Sequence, residues 1–396
     1  MGGRLIDKLM FEEKNSSFHS AVSWVFFAME ANASCIRRTV AERLSEKDSV
    51  LLVERFLSGL RQPTSLRLAK RFSAKTDTLT SYSYFHTPER IPLVMPLLTS
   101  LNRKRLVSEI NELLGHPPTV VCYDSPTQYH VVGRFQEKVS VYVAVDDLTV
   151  TLTGHPIKGE IEAEKKLLSK VDLVVCVSKP LADAIHERIP NRRRVPVHIL
   201  PNGYNARIFD PGLAWPEPKD LKTLPRPRLL VAGHISDRID WEGIREASCM
   251  RPEWTWVFVG PHDPGVQEKI YDILGSRGFW HSPIPLQEVP AWIQNCDVCA
   301  VPYRLNRFTL ASSPLKAIEY LAMGSPILST RIPALQPYGD VVHWVDEGCG
   351  KSYAVGLDKA LEEKADSIRM KARCMAVGND SWARKAETFR AMVLNA

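Results

Sequence analysis

Lys316 and Glu319 stand three residues apart in SSPLKAIEYLAMGSPILSTRIP (312–333). The apolar spacing predicts a helix that stops at Gly324, with Pro326 to Thr330 as a strand directly behind it. At that spacing both side chains lie on one face, one turn apart. An ammonium early in a helix can meet a phosphate, whose charge the amide end of the helix also favours. A carboxylate accepts two hydrogen bonds, which suits the cis-diol of a ribose. Phosphate and ribose adjoin in every nucleotide, so the pair fits a nucleoside diphosphate. A surface ion pair is the plain alternative. The segment is too apolar for a solvent-facing helix, which sets the pair at the border of a cleft.

Other chemistry is sparser. VAGHISDRID (231–240) follows a strand-like run. There Gly233 lets a ligand approach the backbone and Arg238 can supply charge, though a plain turn reads equally well. Gly350-Lys351-Ser352 tempts a phosphate-loop reading, but the pattern needs glycine at 345, where Val stands. No G-x-G-x-x-G follows a strand and no H-E-x-x-H occurs, so neither a dinucleotide fingerprint nor that zinc motif is present. Cys296 and Cys299 form a lone C-x-x-C in an apolar context. A zinc site needs a second ligand pair, so buried thiols are expected.

The elements that must position these groups alternate. Strands are predicted at 18–27, 49–56, 119–124, 138–147, 173–178 and 197–203, and helices at 31–46, 103–115, 159–172 and 180–189, with a longer connection after 56. The helix at 159–172 carries i, i+4 charge pairs. A proline-rich stretch, DPGLAWPEPKDLKTLPRPR (210–228), reads as a linker. Strands then resume at 229–235, 255–261, 297–303 and 341–345, with a helix at 288–296. Such alternation predicts α/β architecture with two Rossmann-like domains facing each other across a cleft. The expected boundaries are an N-terminal extension at 1–17, a first domain at 18–209, the linker at 210–228 and a second domain at 229–375. A C-terminal helix at 376–396 is expected to pack back on the first domain.

The 396 residues carry a net charge of +6, and residues 1–110 account for all of it, with 17 Lys+Arg against 11 Asp+Glu. That suits an anionic membrane surface, an acidic acceptor or nucleic acid, and a solvated face explains it as simply. The basic residues are not interleaved with stacking aromatics, so nucleic acid is not an expected partner. No apolar run reaches the roughly 20 residues of a membrane span, and the N-terminus lacks the apolar core of a signal peptide. Eight cysteines in so long a chain do not suggest a disulfide framework. A cytoplasmic protein, peripheral on the inner face of a membrane, is expected. SYFHTPERIPLVMPLLTSLNRKR (83–105) mixes apolar and cationic residues and is the candidate lipid contact, with a buried helix as the alternative.

SSPLKAIEYLAMGSPILST resembles the donor-site signature of GT-B glycosyltransferases of the family 4 or group 1 type. LPNGYNARIFDP (200–211), EVPAWIQNCDVCAVPYRLNRFT (288–309) and KVDLVVCVSKPLADAI (170–185) resemble further segments of that family. The likeness runs over most of 120–345, nearest to the branch of teichuronic acid glycosyltransferases and, more distantly, the xanthan glucuronosyltransferase. It implies metal-independent transfer of a sugar from a nucleotide-sugar donor, UDP by family frequency, without a further cofactor. The acceptor would be a saccharide or lipid-linked saccharide of the cell envelope. It further implies donor contacts at Gly233, Arg238, Arg304, Ser313, Lys316 and Glu319, with Glu319 on the ribose and Lys316 and Arg304 on the diphosphate. Asp146 would be the general base, with Asp147 as the neighbour to distinguish from it. The chain departs from the pattern in having Ala311 where a first glutamate is usual, and His234 and Ile239 where Arg and Lys are usual. A sugar-nucleotide epimerase of the same fold is the alternative activity.

Overall fold

The computed structural model describes residues 22–28, 36–56, 71–74, 79–85 and 95–396. Within these, the apolar runs assemble into two sheets. β1 (Ser23–Ala28), β2 (Ser49–Phe56), β3 (Arg71–Ala74), β4 (Leu79–Phe85), β5 (Val120–Tyr123), β6 (Val139–Ala144), β7 (Leu173–Cys176) and β8 (Val197–Ile199) form the first. Their order is β3-β4-β2-β1-β5-β6-β7-β8. β9 (Arg228–Ala232), β10 (Thr255–Val259), β11 (Gly278–His281), β12 (Val298–Val301), β13 (Ile327–Thr330) and β14 (His343–Val345) form the second, in the order β11-β10-β9-β12-β13-β14. β3 pairs antiparallel with β4, while the other pairings run parallel. Strands such as RLLVA in β9 and VCAV in β12 are buried at every position, as a sheet covered on both faces requires.

Among the parallel strands, the order reverses between β1 and β5 in the first sheet and between β9 and β12 in the second. In open α/β sheets, ligands bind beyond the carboxyl ends of the strands at such a switch point. Gly233 directly follows β9, and Tyr303 and Arg304 follow β12, so the second switch point lies at two of the sequence candidates.

The chain crosses between its halves twice. The proline-rich stretch is no bare tether: Leu221 is buried and Trp215 packs against the core of the second half. On the return crossing, Tyr204 N–H donates to Asp380 O (3.0 Å) and Trp382 N–H to Tyr204 O (2.9 Å). A Cβ on Gly203 would lie 2.4 Å from Asp380 O, so this approach requires glycine. The helix Trp382–Leu394 then lies on the first sheet. Trp382, Phe389 and Val393 share a core with Trp24, Phe26 and Val143. Arg390 pairs with Asp48 (2.7 Å), which also accepts the indole N–H of Trp24 (3.0 Å).

Several elements differ from the sequence expectation. The longer connection after 56 contains β3 and β4, whose polar residues (RFSA, LTSYSYF) mask the strand signal. The helix expected at 103–115 begins eight residues earlier, spanning Met95–Leu114. Within 197–203, read as a strand with a turn, the strand is Val197–Ile199. The helices Trp241–Met250 and Val266–Leu274 and strand β11 add to the second half. The N-terminal extension and residues 86–94 of the candidate lipid contact lie outside the described residues. Among the described residues no helix is long and apolar enough to cross a membrane. Cys296 and Cys299 are buried, and burial pushes the Cys299 thiol up to about 12. No group of three or more potential metal ligands occurs among the described residues.

Candidate functional site

The helix Leu315–Ala322 buries Ala317, Ile318, Tyr320, Leu321 and Ala322 and leaves Lys316 at its rim. Tyr320 fixes it in place: its hydroxyl accepts the backbone N–H of Ala232, the last residue of β9 (2.8 Å). One turn earlier on the helix, Lys316 is thereby brought beside the next residue, Gly233. A Cβ built on Gly233 would touch Lys316 Cγ at 3.8 Å. Gly233 holds φ +126, a region that L side chains rarely adopt. Its neighbour Gly260 follows β10, where a Cβ would meet Gly233 O at 2.1 Å. The carboxyl ends of β9 and β10 thus meet backbone to backbone with no side chain between them and Lys316 alongside, the Gly233 N–H held by Val259 O (2.9 Å) and the Gly260 N–H by His281 O (3.0 Å).

Lys316 Nζ lies 2.6 Å from Glu319 Oε2, with the side chains 18% and 2% exposed. Solvated surface pairs are far more open, so the plain surface reading of this pair is wrong. Burial raises the Glu319 pKa and the adjacent ammonium partly offsets it. An ammonium has three protons to donate. Lys316 can therefore keep Glu319 and still bind an anion.

The remaining sequence candidates fall into two groups. Arg238 and Arg304 are joined through the backbone, Arg304 N–H donating to Arg238 O (2.7 Å). The Arg238 guanidinium lies over the Tyr303 ring (4.8 Å) and donates to His234 O (3.0 Å), while its buried Nε has no protein partner. Arg304 is 61% exposed, 3.7 Å from Glu347. Ser313 instead faces the other half of the molecule. Its hydroxyl accepts Asn202 N–H (3.2 Å) and its carbonyl accepts the Asn202 amide (2.7 Å). Ser178 Oγ donates to Ala311 O (2.5 Å), and Leu315 packs on the core that holds Trp382. The amino end of the Lys316 helix is therefore seated at the junction of the two halves. Ala311 shares an apolar cluster with Val177 and Leu181 of the first half, so a glutamate there would be buried among hydrocarbon.

Asp146 follows β6 and is half-buried. Asp147 differs sharply: it is buried, and its Oδ1 accepts from Thr149 N–H (3.1 Å) and the Thr149 hydroxyl and lies 3.4 Å from Arg188. Arg188 also pairs with Glu164 (2.5 Å), whose other oxygen accepts the Tyr142 hydroxyl (2.9 Å). Burial raises the Glu164 pKa against the pull of Arg188. Of the two aspartates, only Asp146 is partly exposed. Sequence reading missed this network because Glu164 sits in a charged helix, Lys158–Leu168, that otherwise reads as solvated. It missed Asn202 and Tyr320 because their partners are remote in sequence.

Comparison with known proteins bears on this geometry. Residues 226–385 match the family described as Glycosyl transferases group 1. The second half of this chain is thus similar to group 1 glycosyl transferases. It carries β9 to β14 and all of Gly233, Arg238, Arg304, Ser313, Lys316 and Glu319. Over 225 residues the chain is 25% identical to TuaH of Bacillus subtilis (strain 168), a glycosyltransferase named for teichuronic acid biosynthesis. The match spans about half the length of that relative, 56% of each chain. Among solved structures, sucrose-phosphate synthase from Thermosynechococcus elongatus is similar with a TM-score of 0.73 at 16% identity, covering 95% of this chain and all of that one. Anabaena HepE, solved with UDP and glucose, is similar with a TM-score of 0.67 at 13% identity, covering 95% and 100%. An E. coli trehalose-6-phosphate structure bound with UDP-2-fluoro glucose gives 0.67 at 12% identity, covering 94% and 98%. The two-domain GT-B fold thus accommodates the glycosyl transferase domain together with the first half.

Proposed function

We propose that this protein transfers a sugar from a nucleoside-diphosphate sugar, with UDP as the nucleotide, to a hydroxyl of a saccharide or lipid-linked saccharide acceptor. The observation that carries this reading is the buried Lys316–Glu319 pair, 2.6 Å apart beside the bare backbone of Gly233. The group 1 match over that same domain and the cell-wall name of the Bacillus relative support it. An epimerase finds no support in these names.

In this reading Gly233, having no side chain, lets the diphosphate come close to the backbone beside Lys316. Lys316, with Arg238 and Arg304, stabilises the negative charge that grows on the leaving group. The Glu319 carboxylate takes the ribose hydroxyls. Asp146, on the facing domain, accepts the proton of the attacking acceptor hydroxyl if the configuration at the sugar inverts, and orients the acceptor if it is retained. The acceptor binds the basic first domain, which suits a substrate presented at an anionic membrane surface.

A thermal-shift screen of nucleoside diphosphates tests the reading. UDP should raise the melting temperature, and Glu319→Ala should abolish the rise. If no nucleoside diphosphate stabilises the wild-type protein, the reading is wrong.

A further inference from the structure

The loop that carries Asp146 is gripped from the opposite half of the molecule. Asn306 caps the helix Arg307–Ala311 by accepting Phe308 N–H (2.9 Å) and Thr309 N–H (3.1 Å). The same side chain donates its amide to Leu152 O (3.0 Å), across the junction. Gly154, at φ +85, is pressed close to this point: a Cβ there would lie 3.3 Å from both Arg307 N and Asn306 Cβ. Arg307 then reaches Asp147, its Nε 3.5 Å from Oδ2. That oxygen is buried and has no hydrogen bond, whereas Oδ1 is saturated by Thr149 and Arg188.

The electrostatics give the contact a purpose. Asp147 and Glu164 are two buried carboxylates that share one buried cation, Arg188. A buried carboxylate left short of donors is costly. Arg307 brings the second positive charge, and it arrives on the donor domain, three residues after Arg304. Seating of the 304–307 segment therefore brings Asp147 a second cation at 3.5 Å, and Asp147 is covalently next to Asp146.

We propose that Arg307 is a positioning residue: acting through Asp147, it fixes the 146–156 loop, and with it Asp146, when the donor domain is occupied. The inference rests on the donor-site reading above and adds to it a route from donor binding to the acceptor side. No contact of Arg307 with substrate is involved. A differential contact of this kind is what allows a ligand on one domain to bias a loop on the other.

Hydrogen–deuterium exchange of the full chain with and without saturating UDP tests it. In the wild type, UDP should slow exchange in 315–319 and also in 146–156. In Arg307→Met and Asp147→Asn, UDP should still bind and protect 315–319, with a Kd weakened by no more than the coupling free energy, while the protection of 146–156 is lost. Arg307→Lys, which keeps the charge, should restore it in part, a rescue that a merely structural role does not predict. The inference is overturned if Arg307→Met keeps the UDP-dependent protection of 146–156, or if the wild type shows protection only at 315–319. Absence of any UDP-dependent protection, including at 315–319, would instead overturn the donor-site reading.

Discussion

Glu319 works at the residue scale by being held in a state that water would not choose. Burial favours its neutral form, and only the Lys316 ammonium keeps it within reach of ionisation. Its pKa lies above that of an ordinary glutamate, so the carboxylate proposed to take the ribose hydroxyls is lost early on acidification. UDP affinity should fall as the pH drops through that raised pKa, before an ordinary carboxylate would protonate. Glu319→Gln should flatten the profile, as read by UDP titration across pH. The stability linkage has the same origin: the folded state holds this proton more tightly than the unfolded chain. The contribution of Glu319 to stability therefore grows as the pH falls through the raised pKa, opposite in sign to Asp358, whose pKa Arg251 lowers. Lys316→Met removes a charge-assisted contact worth about 1.5–3 kcal/mol, roughly 10–100-fold in Kd for UDP. An affinity unchanged in that variant would remove Lys316 from the diphosphate.

Among the elements, the loops after β9 and β10 depend on two glycines for different reasons. At Gly233 any side chain is strained by φ +126 and would occupy the ground beside Lys316. Gly233→Ala should therefore weaken UDP binding sharply, at a stability cost of about 1–3 kcal/mol. At Gly260 the clash is with Gly233 O at 2.1 Å, backbone against side chain, so Gly260→Ala should displace the loop that begins at Gly233. The expected sign is a lowered melting temperature together with lost UDP binding. The lone glycine of VAGHISD reads from sequence as a turn with equal ease. Its partner Gly260 is 27 residues away and becomes visible only when β9 and β10 pair in parallel register, Ala232 opposite Val259.

The whole molecule is closed by its own C-terminus. The helix Trp382–Leu394 supplies Trp382, Phe389 and Val393 to the core of the first domain, after the chain has completed the second. Phe389→Ala should therefore destabilise the first domain by about 3–5 kcal/mol. Hydrogen exchange should rise in Ser23–Ala28, against which the ring packs, while 315–319 stays protected. A change confined to the C-terminal helix would contradict this. Asp380 ties the same crossing together, accepting from Tyr338 (2.8 Å) and pairing with Lys385 (2.6 Å).

The alternation of apolar runs was sufficient to indicate two parallel sheets, because strands buried on both faces have no polar side to disguise them. The Lys316–Glu319 pair was legible as well, since two charges in an otherwise apolar helix must face something other than bulk water. β3 and β4 were not legible, because polar residues such as Ser73, Ser81 and Ser83 interrupt their apolar pattern. The tertiary structure alone decided which aspartate is buried and what stands behind it. Asp146 and Asp147 are neighbours of one residue type, and the arrival of Arg188 and Arg307 from two remote segments, beside the local Thr149, distinguishes them. Local spacing determines which side chains share a face. The partners of a buried charge are set by how distant segments meet, and no local pattern encodes that meeting.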